Sequence, residues 1–187
     1  MVAVLQKRFG FEMKQGELES WIEAEEDRVI ITLETKAVPC AGSKEILAKL
    51  RRENNYKMAV VSSSALRRIR ASLFRTGQDK YFDFDEVYSA ATSLPKPTSK
   101  PDPAIYLHVL ARHGAEPGEC VAVEDSLSGA TAAVRAKIPL IGYVGSYHTE
   151  AKRQEIASKL QQLGCKAIMH NWSDFEKCLA QLEADEA

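Results

Sequence analysis

The chain has 187 residues, 45% hydrophobic and 27% charged, and its 25 basic and 26 acidic residues give a formal net charge of −1. This length predicts one globular domain, alone or with a small appendage, that has a substantial core, and the interleaved charges imply no basic surface for nucleic-acid binding. No apolar run is long enough to span a membrane, and the run Met1–Leu5 is too short for a signal peptide. The cysteines have neither the spacing of a zinc site nor the density of a disulfide scaffold, so we expect a cytoplasmic protein without a membrane partner.

The first segment, residues 1–36, is charged and helical in character, and no apolar strand in it leads into a helix. We predict an all-helical piece that is joined to the rest of the chain at residue 37. One part is ambiguous, because "RVIITLE" (residues 28–34) has enough β-branched residues for a strand. We favour helix for this stretch.

From residue 37 onward, short apolar runs alternate with longer segments of helical period. This alternation predicts an α/β fold, namely a Rossmann-like parallel sheet with helices on both faces. The predicted strands are Lys57–Ser62, Glu86–Ser89, Cys120–Glu124, Leu140–Val144 and Lys166–Met169.

Two adjacent acids, Glu124 and Asp125, end the strand "CVAV" and precede a helix rich in small residues. Ligands of open parallel sheets bind at the carboxyl ends of the strands, where these acids are predicted to lie. Adjacent carboxylates repel unless a cation lies between them, and their oxygens are ligands that suit Mg²⁺. The alternative is that Asp125 or Ser126 only caps the following helix.

Two further places lie at predicted junctions between strands or loops and helices. The run "SSSA" begins at Ser62 and offers hydroxyls and free N–H groups that could hold a phosphate, although a capping serine in an ordinary loop is the alternative. Lys100 lies in the proline-rich loop "LPKPTSKPDPAIY" just before a helix, where it could neutralise a phosphate and a carboxylate. The alternative for Lys100 is a solvated side chain in a turn.

The ordered set of serine, lysine and acid pair resembles the haloacid dehalogenase (HAD) superfamily, in its branch of β-phosphoglucomutase-like sugar-phosphate phosphatases. Ser62 in "MAVVSSSA" matches the second motif of that family, and Lys100 in "SKPDPAIY" matches the third, K-P-x-P-x-I-Y. Glu124, Asp125, Ser126 and Gly129 match the fourth, E-D-S-x-x-G. By this resemblance, residues 1–36 are a partial helical cap and residues 37–187 are a HAD-like α/β core.

The resemblance implies a Mg²⁺-dependent phosphohydrolase that acts on a small phosphorylated metabolite, such as a sugar phosphate, through an aspartyl-phosphate. Asp125 is then expected to bind Mg²⁺ directly, and Glu124 to hold a metal-bound water. Ser62 and the N–H of Ser63 are expected to receive the phosphate, and Lys100 to tie the phosphate to the nucleophile. The acid pair favours magnesium phosphohydrolases over the metal-independent dehalogenases.

The sequence departs from the family at its first motif, D-x-D-G-[TV] after an apolar strand, which is absent. The only D-x-D is Asp83-Phe84-Asp85, which follows a loop and lacks the glycine, so we do not expect a nucleophile there. In the family the first strand lies between those that end here at Ser62 and Glu124. We therefore expect either that the sequence is a fragment or a shortened gene product, or that the apolar slot at that place is filled by "RVIITLE", by self-association or by a partner chain.

Two hypotheses for function follow from this departure. The first is a HAD-like phosphohydrolase that lacks activity as this chain alone, because the nucleophile is absent. The second is a non-catalytic protein that binds phosphate and Mg²⁺ or serves as a scaffold.

Overall fold

The computed structural model describes residue 10 and residues 14–186. Part of the segment predicted as a cap, residues 1–9 and 11–13, lies outside the described residues, as does Ala187. The described chain alternates helices and strands as the sequence predicts for an α/β fold. The elements are α1 (Gln15–Lys36), α2 (Ser43–Glu53), β1 (Val60–Ser62), α3 (Leu66–Thr76), β2 (Val87–Ser89), α4 (Ala104–His113), β3 (Ala122–Glu124), α5 (Leu127–Arg135), β4 (Leu140–Tyr143), α6 (Glu150–Gln162), β5 (Ala167–Met169) and α7 (Phe175–Glu186).

All strand pairs among the described residues are parallel, which confirms the prediction. β1 pairs with β2, and β3, β4 and β5 form a second sheet in that order. Each of the five predicted strands is present, although most are shorter than predicted. In β1, for example, residues 57–59 precede the first residue that has a ladder partner, Val60.

Apolar side chains cover both faces of the three-stranded sheet, so helices lie on both sides as predicted. On one face, Leu140 and Val144 belong to a core cluster with residues of α4, α5 and α6. On the other face, Ile141 and Tyr143 pack with residues of α2 and α7. The alternation along β4 places successive side chains in different clusters, because neighbouring residues of a strand point to opposite faces.

A gap separates the two sheets in the described part of the chain. β1 and β3 are not hydrogen-bonded to each other, and a cavity of about 850 Å³ lies between them, lined by Val61, Val123 and apolar residues of the helices on both faces. This is the position at which the sequence predicts a slot. We refer to this cavity below as the slot.

The ambiguous stretch at residues 28–34 is helical, as favoured, and forms the second half of α1. It therefore does not fill the slot, so that suggestion was wrong. α1 packs along α3, where Arg68 contacts Glu25 and Glu26. It ends at Lys36, but whether the helix is part of a cap stays a prediction.

Within the described ranges, no helix combines the length and apolar character that crossing a bilayer requires.

Candidate active site at the carboxyl ends of the strands

β1 and β3 both end at the same edge of the fold, and the predicted site residues follow or end these strands. Ser62 and Glu124 are the last residues of β1 and β3. Asp125 follows Glu124 directly, and Lys100 lies in the loop before α4. The fold thereby brings four predicted site residues to one edge of the molecule.

Lys100 connects the two sheets across the end of the slot. Its Nζ donates to the backbone carbonyl oxygen of Val61 in β1 at 2.8 Å and contacts Glu124 Oε1 in β3. The Lys100 and Glu124 side chains are each only 9% exposed. The alternative of a solvated lysine in a turn is therefore wrong, because a charged side chain this buried needs the partner that Glu124 supplies.

Glu124 is held on three sides. Tyr106 of α4 donates its hydroxyl to the same Oε1 atom that Lys100 contacts. Burial raises the pKa of the Tyr106 hydroxyl, and the adjacent Glu124 carboxylate raises it further, so the phenol stays protonated and donates. The other oxygen, Oε2, lies against Gly129, where an added Cβ would be only 1.8 Å away.

Ser62 at the end of β1 and Ser63 directly after it both make hydrogen bonds near the site, and Ser63 supports the loop that carries Lys100. Ser63 Oγ accepts a hydrogen bond from the backbone N–H of Lys100 at 3.0 Å. Ser62 Oγ accepts one from the N–H of Ser64 at 3.2 Å. Neither serine caps α3, because the N-cap residue is Ala65 and no side chain caps that end. The hydroxyls therefore belong to the loop that faces the site, not to the helix end.

Asp125 is exposed at the mouth of the site. Its Oδ2 accepts a hydrogen bond from Ser146 Oγ at 3.3 Å, and its backbone oxygen accepts one from the Tyr147 hydroxyl at 2.8 Å. Ser126 is the N-cap of α5, since its Oγ accepts from the N–H of Gly129 at 3.0 Å. The capping alternative thus holds for Ser126 and not for Asp125.

The carboxylate oxygens at this edge provide only some of the oxygen ligands that Mg²⁺ binds in proteins. Asp125 offers an exposed carboxylate, whereas Glu124 is engaged by Lys100 and Tyr106. Across residue 10 and residues 14–186, no group of three or more His, Cys, Asp or Glu side chains is arranged to hold a metal ion. The described residues thus supply one or two of the ligands that a magnesium site needs.

Asp83 and Asp85 lie away from this edge, because they precede β2 and so lie at its amino end. Asp83 is paired with Arg51 at 2.6 Å, and this hydrogen bond lowers the pKa of its carboxyl. Asp85 is 3.6 Å from Arg112. The expectation that this D-x-D is not a nucleophile agrees with its position.

The sequence reasoning did not assign roles to three residues that the structure places in the site. Tyr106 is present in the quoted "SKPDPAIY" motif, but its contact with Glu124 depends on how α4 packs. Ser146 and Tyr147 follow β4 after a short turn. The rule that ligands bind at the carboxyl ends of strands could have indicated both of them.

The sequence is similar to one protein-family model and to curated proteins, each over more than half of the chain. Residues 4–137 match the model of the haloacid dehalogenase-like hydrolase family. Hexitol phosphatase B of Escherichia coli K12 is 32% identical over 112 residues, which are 59% of this chain and 47% of that protein. The plasmid-encoded protein CbbY of Cupriavidus necator is 33% identical over 107 residues, which are 52% of this chain and 41% of that protein. The chain therefore matches less than half of the length of each of these curated relatives.

Among solved structures, a haloacid dehalogenase-like protein of unknown function from Agrobacterium tumefaciens is similar, with a TM-score of 0.74 and 25% identity. The superposition covers 97% of this chain and 76% of that one. The family match extends over well more than half of the sequence and includes Ser62, Lys100 and the acid pair. The chain belongs to the haloacid dehalogenase-like hydrolase family.

Proposed function

We propose that this chain carries the phosphate-binding and metal-binding half of the active site of a sugar-phosphate phosphohydrolase. The observation that carries the proposal is the meeting of Lys100 with the ends of β1 and β3, beside Asp125. Similarity to Hexitol phosphatase B supports a small phosphorylated metabolite, such as a sugar or hexitol phosphate, as the substrate class. Hydrolysis of such an ester consumes water and releases the alcohol and inorganic phosphate.

Each residue of the half-site has a distinct part in this proposal. The Lys100 ammonium would neutralise phosphoryl oxygens, and the Ser62 hydroxyl and the N–H of Ser63 would donate hydrogen bonds to oxygens of the phosphate. Asp125 and Glu124 would hold Mg²⁺, which when bound supplies charge neutralisation for the phosphoryl group. Glu124 must first loosen its contacts with Lys100 and Tyr106 to do so.

We further propose that the 187-residue chain by itself has no phosphatase activity. The D-x-D-G-[TV] motif is absent from the sequence, and Asp83 and Asp85 lie at the other edge of the sheet. An aspartyl-phosphate cannot form at the site without a carboxylate that faces Lys100 and is free to attack phosphorus. Glu124 does not meet this condition, because both of its oxygens are in close contact.

The first test is titration calorimetry of the full chain with inorganic phosphate, with and without Mg²⁺. We expect binding that strengthens with Mg²⁺, weakens in Ser62→Ala and loses its Mg²⁺ dependence in Asp125→Asn. Asp79→Asn and Ser158→Ala are matched controls, since both residues are exposed and lie outside the site. The absence of any phosphate binding under both conditions would contradict the half-site.

The second test is phosphate release from hexitol phosphates and hexose phosphates in the presence of Mg²⁺. We expect no turnover above the rate without protein. Mg²⁺-dependent turnover that disappears in Asp125→Asn would contradict the proposed inactivity while supporting the site itself.

A non-catalytic role is the second candidate, and one observation favours it. Lys100 and Glu124 satisfy each other's charges in the chain as it stands, so the site is stable without a ligand. Phosphate binding without turnover would support a non-catalytic phosphate-binding role. If the chain shows neither phosphate binding nor turnover, a scaffold role is the hypothesis that remains.

A further inference from the structure

We propose that Ser89 is a positioning residue of the phosphate half-site, because its buried hydroxyl fixes the serine loop and, through that loop, the backbone of Lys100. The serine loop is the segment of residues 62–64 at the end of β1. This inference rests on the proposed phosphohydrolase function and deepens it. Ser89 is not among the residues proposed to touch phosphate or metal, and its role is to determine where the phosphate ligands lie.

The hydroxyl of Ser89 is buried and both donates and accepts a hydrogen bond. Ser89 is the last residue of β2 and is 0% exposed. Its Oγ donates to the carbonyl oxygen of Ser64 at 2.7 Å and accepts from the backbone N–H of Thr92 at 3.1 Å. One side chain thus connects the serine loop to the turn that follows β2. Removal of the hydroxyl leaves a carbonyl oxygen and an N–H without their partner, which disfavours the present arrangement of both segments.

The direction of the Ser63 N–H follows from hydrogen bonds on both sides of it. The carbonyl oxygen of Ser62 accepts from the N–H of Ala90 at 2.8 Å. Because a peptide unit is planar and trans, the N–H of Ser63 points opposite to that carbonyl group and so away from Ala90. The next fixed group along the chain is the carbonyl of Ser64, which Ser89 holds. Of these two attachments, the one made by Ser89 depends on a side chain and can be removed by substitution.

Lys100 belongs to the same network. Its backbone N–H donates to Ser63 Oγ at 3.0 Å, and the N–H of Thr98 donates to the carbonyl oxygen of Ala90 at 2.9 Å. The loop that carries Lys100 is therefore attached to the serine loop and also to the residue that follows Ser89. A closed ring of hydrogen bonds and short chain segments joins the groups that are proposed to bind phosphate.

The proposed metal ligand Asp125 has hydrogen-bond partners outside this ring. Its carboxylate accepts from Ser146 Oγ, and its backbone oxygen accepts from the Tyr147 hydroxyl. Loss of the Ser89 hydroxyl should therefore displace the phosphate ligands and leave the Asp125 carboxylate in place. This difference separates a positioning role from a general disturbance of the site.

Ser43 provides a matched control, because its hydroxyl is buried in a similar way and is not part of the ring. It is 2% exposed, and its Oγ donates to the carbonyl oxygen of Cys40 at 2.7 Å and accepts from Gln78 Nε2 at 3.3 Å. Ser43→Ala therefore removes the same kinds of hydrogen bond as Ser89→Ala. We expect a similar fall in the urea midpoint of unfolding for both variants. A difference in phosphate affinity between them then reports the position of the ligands and not the loss of stability.

The test is titration calorimetry of the full chain with inorganic phosphate, with and without Mg²⁺. We expect Ser89→Ala to bind phosphate about tenfold more weakly than the parent chain, and Ser43→Ala to bind it as the parent does. The factor by which Mg²⁺ strengthens phosphate binding should be the same in both variants and in the parent. Equal phosphate affinities of the two variants would overturn the inference, and so would loss of the Mg²⁺ effect in Ser89→Ala.

Ser89→Cys provides a second variant at the same position. A thiol is a weaker donor than a hydroxyl, so we expect a phosphate affinity between those of Ser89→Ala and the parent chain. Circular dichroism verifies that each variant is folded. If Ser89→Ala does not fold, Ser89→Cys decides the question, and an affinity equal to that of the parent would then overturn the inference.

Failure of the proposed function gives a different result from failure of this inference. If the parent chain binds no phosphate under either condition, the half-site is contradicted and the role of Ser89 is contradicted with it. If the parent chain and Ser89→Ala bind phosphate equally well, the half-site stands and only the positioning role is overturned.

Discussion

Lys100 and Glu124 lie in contact across the end of the slot, and each side chain is 9% exposed. The contact joins the loop before α4 to the last residue of β3, and Lys100 also bonds to β1 through the Val61 carbonyl oxygen. This lysine is therefore a structural link between the two sheets as well as a candidate ligand for phosphate.

Removing the charge of Lys100 should destabilise the protein strongly. Lys100→Met leaves Glu124 buried without its cation, and we expect the free energy of unfolding to fall by about 3–5 kcal/mol. Urea denaturation followed by circular dichroism measures this loss. Lys100→Met/Glu124→Gln should recover much of it, because no charge is then left unpaired. Lys152→Met is the matched control, since the Lys152–Glu155 pair is 46% and 44% exposed and its loss should change the free energy of unfolding little.

Gly129→Ala should disturb the position of Glu124. The new Cβ would lie 1.8 Å from Glu124 Oε2, so the carboxylate or the start of α5 must shift. We expect a loss of about 1–3 kcal/mol in the free energy of unfolding, measured by urea denaturation. Gly118→Ala is the control, because no atom lies within 4 Å of its added Cβ. Equal stability of Gly129→Ala and the parent chain would show that Glu124 does not press against Gly129.

The attachment of α1 to α3 should depend on Arg68 more than on its neighbour Arg67. Arg68 Nη2 lies 2.8 Å from Glu25 and 2.5 Å from Glu26, and the Glu26 side chain is only 17% exposed. Arg68→Met is expected to cost about 1–2 kcal/mol and to increase hydrogen exchange of the α1 amides. Arg67→Met, whose partner Asp27 is 3.4 Å away in an exposed pair, should change exchange little. Similar exchange in the two variants would contradict the assigned role of Arg68.

The cysteines should differ sharply in their reactivity with a thiol reagent. Cys40 is exposed, whereas Cys165 and Cys178 are buried and burial raises the pKa of both thiols. Burial, reinforced by Glu119, also raises the pKa of Cys120. Since the thiolate is the reactive form, we expect one fast-reacting thiol at pH 8, and Cys40→Ser should abolish the fast phase.

The pH dependence provides a second measurement on the same thiols. A raised pKa keeps Cys120 protonated at pH 8, so its labelling should accelerate as the pH rises toward and past its pKa. All four cysteines should react in urea, where burial is lost. Two fast thiols in the native chain at pH 8 would contradict the burial of Cys120.

The sequence alone was sufficient to predict the five parallel strands and the helical state of residues 28–34. It was also sufficient to select Ser62, Lys100, Glu124 and Asp125 as candidate site residues, because hydrophobic periodicity and local motifs are encoded by neighbouring residues. It overestimated the length of β1, since a strand ends where its partner ends and the partner is distant in sequence.

Only the tertiary structure decided how the candidate residues meet. The contact of Lys100 with Val61 and Glu124 joins three places that are far apart in sequence. The Tyr106 hydroxyl reaches Glu124 only because α4 packs against β1, β2 and α5, and the slot becomes visible only when the edges of β1 and β3 face each other. These relationships depend on the packing of whole elements, which local patterns in a single sequence do not contain.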